Sequence, residues 1–301
     1  MSAPERALLT TQGAVILGGR PRLMGIVNAT PDSFSDAGEH PTLKARVELA
    51  ATLLADGAEV IDIGGESGVT NRPPVSAQEE IERVVPLILR VAGELDAIVS
   101  VDTYKPAVAR AAIAAGAAMV NDVSGLRDPE LAEVCAETGA ALVLMHTPAA
   151  PKQKLFDPSL DGRVMDDVEA FLSQRIELAL ERGMALEQLL LDPGPDFGKT
   201  PAQTVEALRD LERLHGLGRP LLLAVSRKDF VGALTGRAPR ARLAGTLAAV
   251  ARGVDAGVHV LRVHDVAATA DFVTVHAALA AESEVPASLR LDEDLRRERG
   301  R

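Results

Sequence analysis

The feature that most constrains the fold of this chain is the alternation of short apolar runs with longer segments of helical periodicity. Each run is followed by a segment with a period of about 3.6 residues, such as AQEEIERVVPLILRVAGEL at 77–95. Repeated βα units of this kind are typical of a parallel sheet covered by helices. Eight runs in 301 residues predict an α/β fold, a single (β/α)8 TIM barrel rather than two domains; they span 23–28, 60–65, 98–103, 119–124, 141–146, 189–194, 221–226 and 259–265.

Two further segments flank the predicted barrel. LLTTQGAVILGG precedes the first run and is predicted to form a β-hairpin with a Gln-Gly turn, which would cap the bottom of the barrel. After residue 280 the periodicity ends and charged residues dominate, as expected of a solvated tail. We therefore predict an N-terminal hairpin cap over 1–22, the barrel over 23–280 and a polar C-terminal tail over 281–301.

Composition narrows the classes of partner. Aromatic residues make up 2% of the chain and Trp is absent, which disfavours stacking on single-stranded nucleic acid, and a net charge of −11 disfavours polyanions. No apolar stretch approaches the roughly 18 residues of a membrane span, and the N-terminus lacks the apolar run of a signal peptide. The single cysteine, Cys135, falls in a helical segment and is predicted to be a buried apolar residue. We expect a cytoplasmic protein that binds neither nucleic acid nor membranes.

Polar residues collect at the carboxyl ends of the predicted strands, where TIM barrels place their functional groups. For any one buried carboxylate, a structural ion pair or a helix cap is an alternative role. The whole set is more easily explained by a binding site at the barrel mouth. The polar residues at or just after the strand ends are Asn28, Asp62, Glu66, Asp102, Asn121, Asp122, His146, Asp192, Ser226, Arg227, Lys228, Arg262, His264 and Asp265.

Four of these residues suit a small flat heterocycle. Asp102, Asn121, Asp192 and Lys228 come from four different strand ends and are predicted to converge on one mouth. They offer two acceptor carboxylates, an amide that both donates and accepts, and a cationic donor. That set complements a ring with amidine-like donors on one edge and a carbonyl on another.

A second group suits phosphate. Arg262 and His264 alternate on the last strand and so point to the same side, and Asn28 ends the neighbouring first strand. Spacing alone leaves an anion site with a metal and a purely structural histidine about equally favoured. His146 lacks such neighbours and is predicted to be structural. Phosphate-binding P-loops, serine nucleophile elbows, HExxH helices and structural zinc spacings are all missing from the sequence.

Seven ordered motifs resemble those of the dihydropteroate synthases, within the pterin-binding barrel family. They are MGIVNATPDSFSDAG, DIGGES, VSVDTYK, VNDVSG, LDPGPDFGKT, VSRKDF and LRVHDV, and the resemblance covers roughly 23–280. It implies a transferase of folate biosynthesis that condenses 6-hydroxymethyl-7,8-dihydropterin diphosphate with 4-aminobenzoate, giving 7,8-dihydropteroate and diphosphate. It also implies a homodimer formed through the later helices.

The resemblance assigns roles to the two groups of residues. Asp102, Asn121, Asp192 and Lys228 would hold the pterin ring, with Asp192 facing its N–H donors and Lys228 its carbonyl. The diphosphate would be held by Asn28, Arg262 and His264, with Mg²⁺ at Asn28. Asp102, Lys228 and Arg262 would be catalytic, because Arg262 stabilises the departing diphosphate and Asp102 the pterin cation that it leaves behind.

The same resemblance implies lids and walls. The long polar loops after the first two strands would close over the site, with Thr70 and Arg72 matching the family's lid residues. Phe197 and Pro31 would form walls of the aminobenzoate pocket.

The sequence departs from the family pattern in three places. GGESGVTNRPP replaces the usual Ser-Thr-Arg-Pro run after GGE, Asp229 stands where the family usually has Ser, and Asp196 replaces a glycine. The two acidic residues would weaken binding of an acidic substrate or select another substrate, or they would point outward and pair with Lys199 or Arg227. Two alternatives stay open: a pterin-binding paralogue without synthase activity, and a methyl-folate/corrinoid methyltransferase, which would have no use for a diphosphate site.

Overall fold

The computed structural model describes residues 3–30, 42–66, 73–153 and 155–296. A hairpin of β1 (Ala3–Thr10) and β2 (Gly13–Gly19) comes first. The parallel strands are β3 (Arg22–Asn28), β4 (Val60–Gly64), β5 (Ile98–Asp102), β6 (Met119–Asp122), β7 (Ala141–Met145), β8 (Leu189–Asp192), β9 (Leu222–Leu223) and β10 (Val260–Val263). The α-helices are α1 (Leu43–Ala55), α2 (Ala77–Leu95), α3 (Pro106–Ala114), α4 (Glu130–Thr138), α5 (Val164–Glu181), α6 (Pro201–Arg209), α7 (Asp229–Thr235), α8 (Leu243–Asp255) and α9 (Val266–Leu279).

The eight parallel strands form a nearly closed barrel. Their order in the sheet is β8-β7-β6-β5-β4-β3-β10-β9, and a parallel bridge between Leu191 and Leu221 joins the two outer strands. Each predicted apolar run coincides with one of these strands, although β3 begins one residue before its run. The prediction of a single (β/α)8 TIM barrel with a hairpin cap is therefore confirmed.

Helix α2 shows why the periodic segments fold as they do. Ser76 caps its N-terminus by accepting a hydrogen bond from the backbone N–H of Glu79, and Asp96, with a left-handed φ of 51°, ends it. Its buried residues Val84, Leu87, Ile88 and Val91 recur at the spacing of one helix face and pack against the outside of the barrel. The observed bounds match the predicted segment 77–95.

The hairpin closes the lower end of the barrel. Leu8 and Leu17 pack into a cluster with Met24, Val60 and other inward-facing residues near the strand starts. Because these residues fill the barrel, the lower half is solid core and only the carboxyl end is available for a site. The turn differs by one residue from the prediction: Thr10 pairs with Gly13, so Thr11 and Gln12 form the loop.

Outside the barrel, two predictions about single segments can be compared with the structure. Cys135 is fully buried in α4, and burial raises the pKa of its thiol above the usual range, as expected of a structural cysteine. Residues 282–296 are exposed and contain only one short 3-10 turn. Within the described residues, no helix combines the length and apolar character needed to cross a membrane.

Candidate active site

Acidic residues at the barrel mouth are built into the strands themselves. In β4, Ile61 and Ile63 face the helices as part of the outer core, so Asp62 between them faces the barrel interior. In β5, Val101 faces outward in the same way and Asp102 ends the strand facing inward. Strand alternation thus places two carboxylates in the upper barrel, which must be partnered to be stable there.

Arg262 on β10 is that partner. Its Nε donates to Asp62 Oδ2 at 2.6 Å and its Nη2 donates to Asp102 Oδ2 at 2.9 Å. Asn121 on β6 donates from Nδ2 to the same Asp62 oxygen at 3.2 Å. Four side chains from four strands therefore form one hydrogen-bonded network across the barrel.

Burial and charge oppose each other in this network. Burial raises the pKa of Asp102 to about 7 against the lowering effect of Arg262, and the carboxylate of Asp62 adds to the rise. Burial alone would lower the pKa of Arg262, but Asp62 and Asp102 outweigh it and the net shift is upward. Arg262 therefore stays charged, whereas Asp102 changes its protonation state near neutral pH.

Across the mouth, the turn after β8 meets the start of α7. The Asp192 carboxylate accepts the backbone N–H of Gly194 at 2.7 Å, and burial raises its pKa despite nearby Lys228. Lys228 Nζ lies 4.3 Å from the centre of the Phe197 ring, a cation–π contact. Burial lowers the pKa of Lys228, against the raising effects of Asp196 and Asp192. The structure thus brings Asp192, Phe197 and Lys228 together, as predicted.

A glycine makes this turn possible. Gly194 has a left-handed φ of +62°, and a Cβ there would lie 2.0 Å from the backbone oxygen of His146. Only glycine fits between the turn and the end of β7, which explains the DPG motif.

The predicted phosphate-binding residues lie on two adjacent strands. β10 pairs with β3 in parallel, and Asn28 ends β3 while His264 directly follows β10. Ser226 Oγ accepts the backbone N–H of His264 at 3.1 Å and lies 3.0 Å from its Nδ1. A hydroxyl that also donates to Nδ1 satisfies both contacts, and this arrangement is compatible with a ring proton on Nε2.

The structure modifies the predicted grouping of residues. Arg262 was grouped with phosphate, but its guanidinium is engaged by Asp62 and by Asp102, which was assigned to the heterocycle. Asp62 was included among the polar strand-end residues at the mouth but was given no role in binding. The signal was available, because a carboxylate enclosed by isoleucines in VIDIGG needs a cationic or donor partner. Thr70, Arg72 and Pro31 lie outside the described residues.

The two unusual acidic residues each have hydrogen-bond partners within the protein. Asp229 is exposed, with 90% of its side chain accessible, and pairs with Arg242 Nη1 at 2.9 Å. Asp196, at a φ of 66°, accepts the Phe230 backbone N–H at 3.2 Å and the Thr204 hydroxyl at 3.2 Å. The suggested partners Lys199 and Arg227 were wrong for these hydrogen bonds: Arg227 pairs with Asp265, and Lys199 contacts His146.

Comparisons with known proteins agree with this geometry. A family model described as pterin binding enzyme matches residues 24–264. The dihydropteroate synthase of Synechocystis sp. is 42% identical over 266 residues, covering 87% of this chain and 91% of that protein. The Escherichia coli K12 dihydropteroate synthase is 39% identical over 267 residues, covering 89% and 94%. The chain belongs to the dihydropteroate synthase family.

Solved structures of this dihydropteroate synthase family share the fold. The Xanthomonas albilineans enzyme with 4-aminobenzoic acid is 45% identical with a TM-score of 0.81, covering 90% of this chain and 96% of that chain. The same enzyme in complex with 7,8-dihydropteroate gives 46% identity and a TM-score of 0.78, covering 89% and 95%. The Yersinia pestis dihydropteroate synthase with a sulfonamide drug complex gives 39% identity and a TM-score of 0.85, covering 92% and 100%.

Proposed function

We propose that this chain is a transferase that condenses 6-hydroxymethyl-7,8-dihydropterin diphosphate with 4-aminobenzoate, releasing diphosphate and giving 7,8-dihydropteroate for folate biosynthesis. The observation that carries the proposal is the polar mouth of the barrel. There the Arg262 network with Asp62, Asp102 and Asn121 occupies one side, and Asp192 with Lys228 occupies the other.

The pterin ring would bind between these two sides. Asp192 has one carboxylate oxygen turned to the Gly194 amide, which fixes the carboxylate's orientation for ring N–H donors. Lys228 would donate to the ring carbonyl, and Asn121 has both an acceptor and a donor for the remaining edge. Because Asp192 and Lys228 are buried groups of opposite charge, they are held ready for a neutral, polar ring rather than for an ion.

Departure of the diphosphate needs positive charge on the leaving-group side. Arg262 stays protonated, and His264 would donate from Nε2 in the tautomer whose Nδ1 accepts from the Ser226 hydroxyl. As the C–O bond breaks, positive charge grows on the pterin methylene and ring. The Asp102 carboxylate, held by Arg262, would stabilise that charge until the arylamine nitrogen attacks and loses a proton.

Magnesium belongs to this proposal. Among the described residues no group of three His, Cys, Asp or Glu side chains could hold a metal. Mg²⁺ commonly uses few protein oxygens and completes its shell with water and substrate phosphates, so the amide oxygen of Asn28 suits it as a single protein ligand. When bound with the diphosphate, the ion would neutralise part of the negative charge of the diphosphate. Titration of the pterin diphosphate affinity with Mg²⁺, in the parent and in Asn28→Ala, tests this assignment.

The position of the two unusual acids favours an active synthase over a pterin-binding paralogue. Asp229 is exposed and paired with Arg242, and Asp196 is bound by the Phe230 amide and the Thr204 hydroxyl, so each carboxylate already has a donor in the protein. Phe197, packed beside Lys228, supplies an apolar surface that suits the aromatic ring of 4-aminobenzoate.

The deciding experiment is diphosphate release from the pterin substrate with and without 4-aminobenzoate. The synthase requires release that depends on 4-aminobenzoate and yields one dihydropteroate per diphosphate. Lys228→Ala should lose pterin binding, whereas Lys44→Met, which removes an exposed charge on α1, should behave like the parent. Pterin diphosphate binding without aminobenzoate-dependent release would favour the non-catalytic paralogue instead.

The proposal extends to assembly and location. Leu234, Val275 and Leu279 on α7 and α9 are 58–84% exposed, which suits a homodimer through the later helices. Sedimentation equilibrium of the parent and of Leu279→Glu tests it, since a monomeric parent would refute the dimer. We also propose a cytoplasmic location, consistent with one buried cysteine and no possible internal disulfide. Fractionation of cells that express the tagged chain tests this location.

A further inference from the structure

A line of three ionisable side chains lies beneath the turn after β8, outside the residues that the proposed reaction uses. His146, directly after β7, is fully buried, and Lys199 is 2% exposed. Lys199 Nζ lies 2.6 Å from His146 Nδ1, and His146 Nε2 lies 2.9 Å from Asp167 Oδ2 on α5. Asp167 is 39% exposed, so the line runs from solvent to the underside of the active site.

The side chain of Lys199 binds the backbone of the turn after β8. Its Nζ donates to the carbonyl oxygens of Gly194 at 2.9 Å and Phe197 at 3.3 Å, in addition to the contact with His146. An ammonium group has three N–H donors, and these three acceptors use all of them. The turn that Lys199 ties together carries Phe197 and directly follows Asp192, which both face the proposed substrates.

Asp167 determines which ring nitrogen of His146 carries the proton. An ionised carboxylate only accepts hydrogen bonds, so the proton of His146 must sit on Nε2. The lone pair of Nδ1 then faces Lys199 and accepts from its ammonium group. Burial and the charge of Lys199 lower the pKa of His146 to about 4, which keeps the ring neutral and able to accept.

We propose that Lys199 is a positioning residue of the active site, whose ammonium group, supported by His146 and Asp167, holds the 194–197 turn in the shape that presents Asp192 and Phe197 to the substrates. This inference rests on the proposed synthase function for its kinetic consequences. The three hydrogen bonds of Lys199 are its structural basis, and they belong to a residue that contacts no reacting atom.

The charges around Lys199 make its hydrogen bonds to the 194–197 turn sensitive to pH. The groups that face it are His146 after β7, Asp167 on α5, Asp192 at the end of β8, Asp196 in the turn and Lys228 before α7. Burial lowers the pKa of Lys199 to about 7, while Asp192 and Asp167 counteract that effect. A neutral amine has only two N–H donors and cannot hold all three acceptors, so the turn is expected to loosen as the pH rises through about 7.

Lys199→Met tests the positioning role, with Lys44→Met as a matched loss of one lysine charge at an exposed site. We expect kcat/KM for 4-aminobenzoate to fall about 10- to 100-fold in Lys199→Met, mostly through KM, and to stay at the parent value in Lys44→Met. Hydrogen exchange over residues 189–200 should become faster in Lys199→Met alone. Unchanged exchange in Lys199→Met would overturn the proposal.

The pH profile separates positioning from a merely structural role. In the parent, kcat/KM should fall as the pH rises through about 7, and this limb should vanish in Lys199→Met. Asp167→Asn, a milder change at a partly exposed site, removes a charge that raises the pKa of Lys199 and should move the limb to lower pH. A limb that stays in place in both variants would refute the assignment.

The outcome for Lys199 can be separated from that for the synthase. Failure of the parent to release diphosphate with 4-aminobenzoate would refute the proposed function alone. The exchange experiment needs no substrate, so faster exchange in Lys199→Met would still support the role of Lys199 in the turn, and unchanged exchange would overturn it.

Discussion

Replacement of Arg262 by methionine tests how far the polar mouth depends on one cation. The substitution keeps an unbranched apolar side chain and removes the guanidinium that donates to Asp62 at 2.6 Å and to Asp102 at 2.9 Å. Asp62 is fully buried, and its Oδ1 has no hydrogen-bond partner among the described residues. In the variant, Asn121 would be its remaining donor.

The cost follows from this burial. Removing one partner of a buried ion pair typically costs about 3–5 kcal/mol, because an uncompensated charge is left behind. Arg262 is 18% exposed at its side chain, so solvent relieves little of that cost. We expect Arg262→Met to lower the free energy of unfolding by about 3–5 kcal/mol at pH 8.

A double-mutant cycle isolates the pair. Asp62→Asn removes the charge of Asp62 while keeping its shape, so Asp62→Asn/Arg262→Met should be more stable than the sum of the single losses predicts, by about 1–3 kcal/mol. Urea unfolding followed by far-ultraviolet circular dichroism suits this chain, which has no Trp.

The pH dependence gives an independent check on the same reasoning. Without Arg262 the pKa of Asp102 rises above its parent value of about 7, so the folded variant keeps a proton that the folded parent releases as the pH rises through about 7. Below that pH both folded proteins hold the proton, so the stability of Arg262→Met relative to the parent should fall only as the pH rises above about 7. Additive single losses in the cycle, combined with a loss of under about 1 kcal/mol at pH 8, would refute the reasoning.

Three other substitutions test the surroundings of the site. Asp229→Ser removes an exposed carboxylate paired with Arg242, so we expect the free energy of unfolding in urea to change by less than about 0.5 kcal/mol. The KM for 4-aminobenzoate should be unchanged. A lower KM would place Asp229 in the aminobenzoate pocket. Asp196→Gly removes the charge that most raises the pKa of Lys228, so the affinity for pterin diphosphate should begin to fall at a lower pH than in the parent. Titration calorimetry over a pH series measures this shift. An identical pH dependence in the variant would contradict the interaction between Asp196 and Lys228. Burial lowers the pKa of His259 to about 4, so the unfolded state binds a proton that the folded state does not as the pH falls from 6.5 to 4, and stability is lost over that range. His259→Gln should flatten this part of the curve of stability against pH. An equally steep loss in the variant would exclude His259 as the source of the pH dependence.

Much of the fold was predictable because the chain encodes it locally. A strand covered on both faces must be apolar throughout, as VIDIGG and LLLDPG nearly are, and a helix on its outside must repeat at 3.6 residues, as α2 does. The exact hairpin turn was less well determined, because Gln-Gly and Thr-Gln loops differ by one residue in register.

The site residues were predictable to the extent that strand ends meet at one rim. Asp102, Asn121, Asp192 and Lys228 were selected on that basis, and the structure places each at the mouth. The role of Lys199 was not visible, because its three acceptors are a histidine 53 residues away and two backbone oxygens of its own turn. Such contacts depend on how the turn folds over the end of β7.

The position of Arg262 depends on strand register, which no single strand reveals. Arg262 pairs with Met24, which pairs with Val60, which pairs with Ile98, so its backbone lies in a row of inward-facing apolar residues. In β5, Asp102 comes four residues after Ile98 along the strand. An arginine that starts so deep must extend its side chain toward the mouth, and on the way it meets Asp62 and Asp102. In the proposed reaction, the guanidinium that holds these two carboxylates would also neutralise the departing diphosphate. The positive charge of Arg262 would then serve both the pterin side and the diphosphate side of the site.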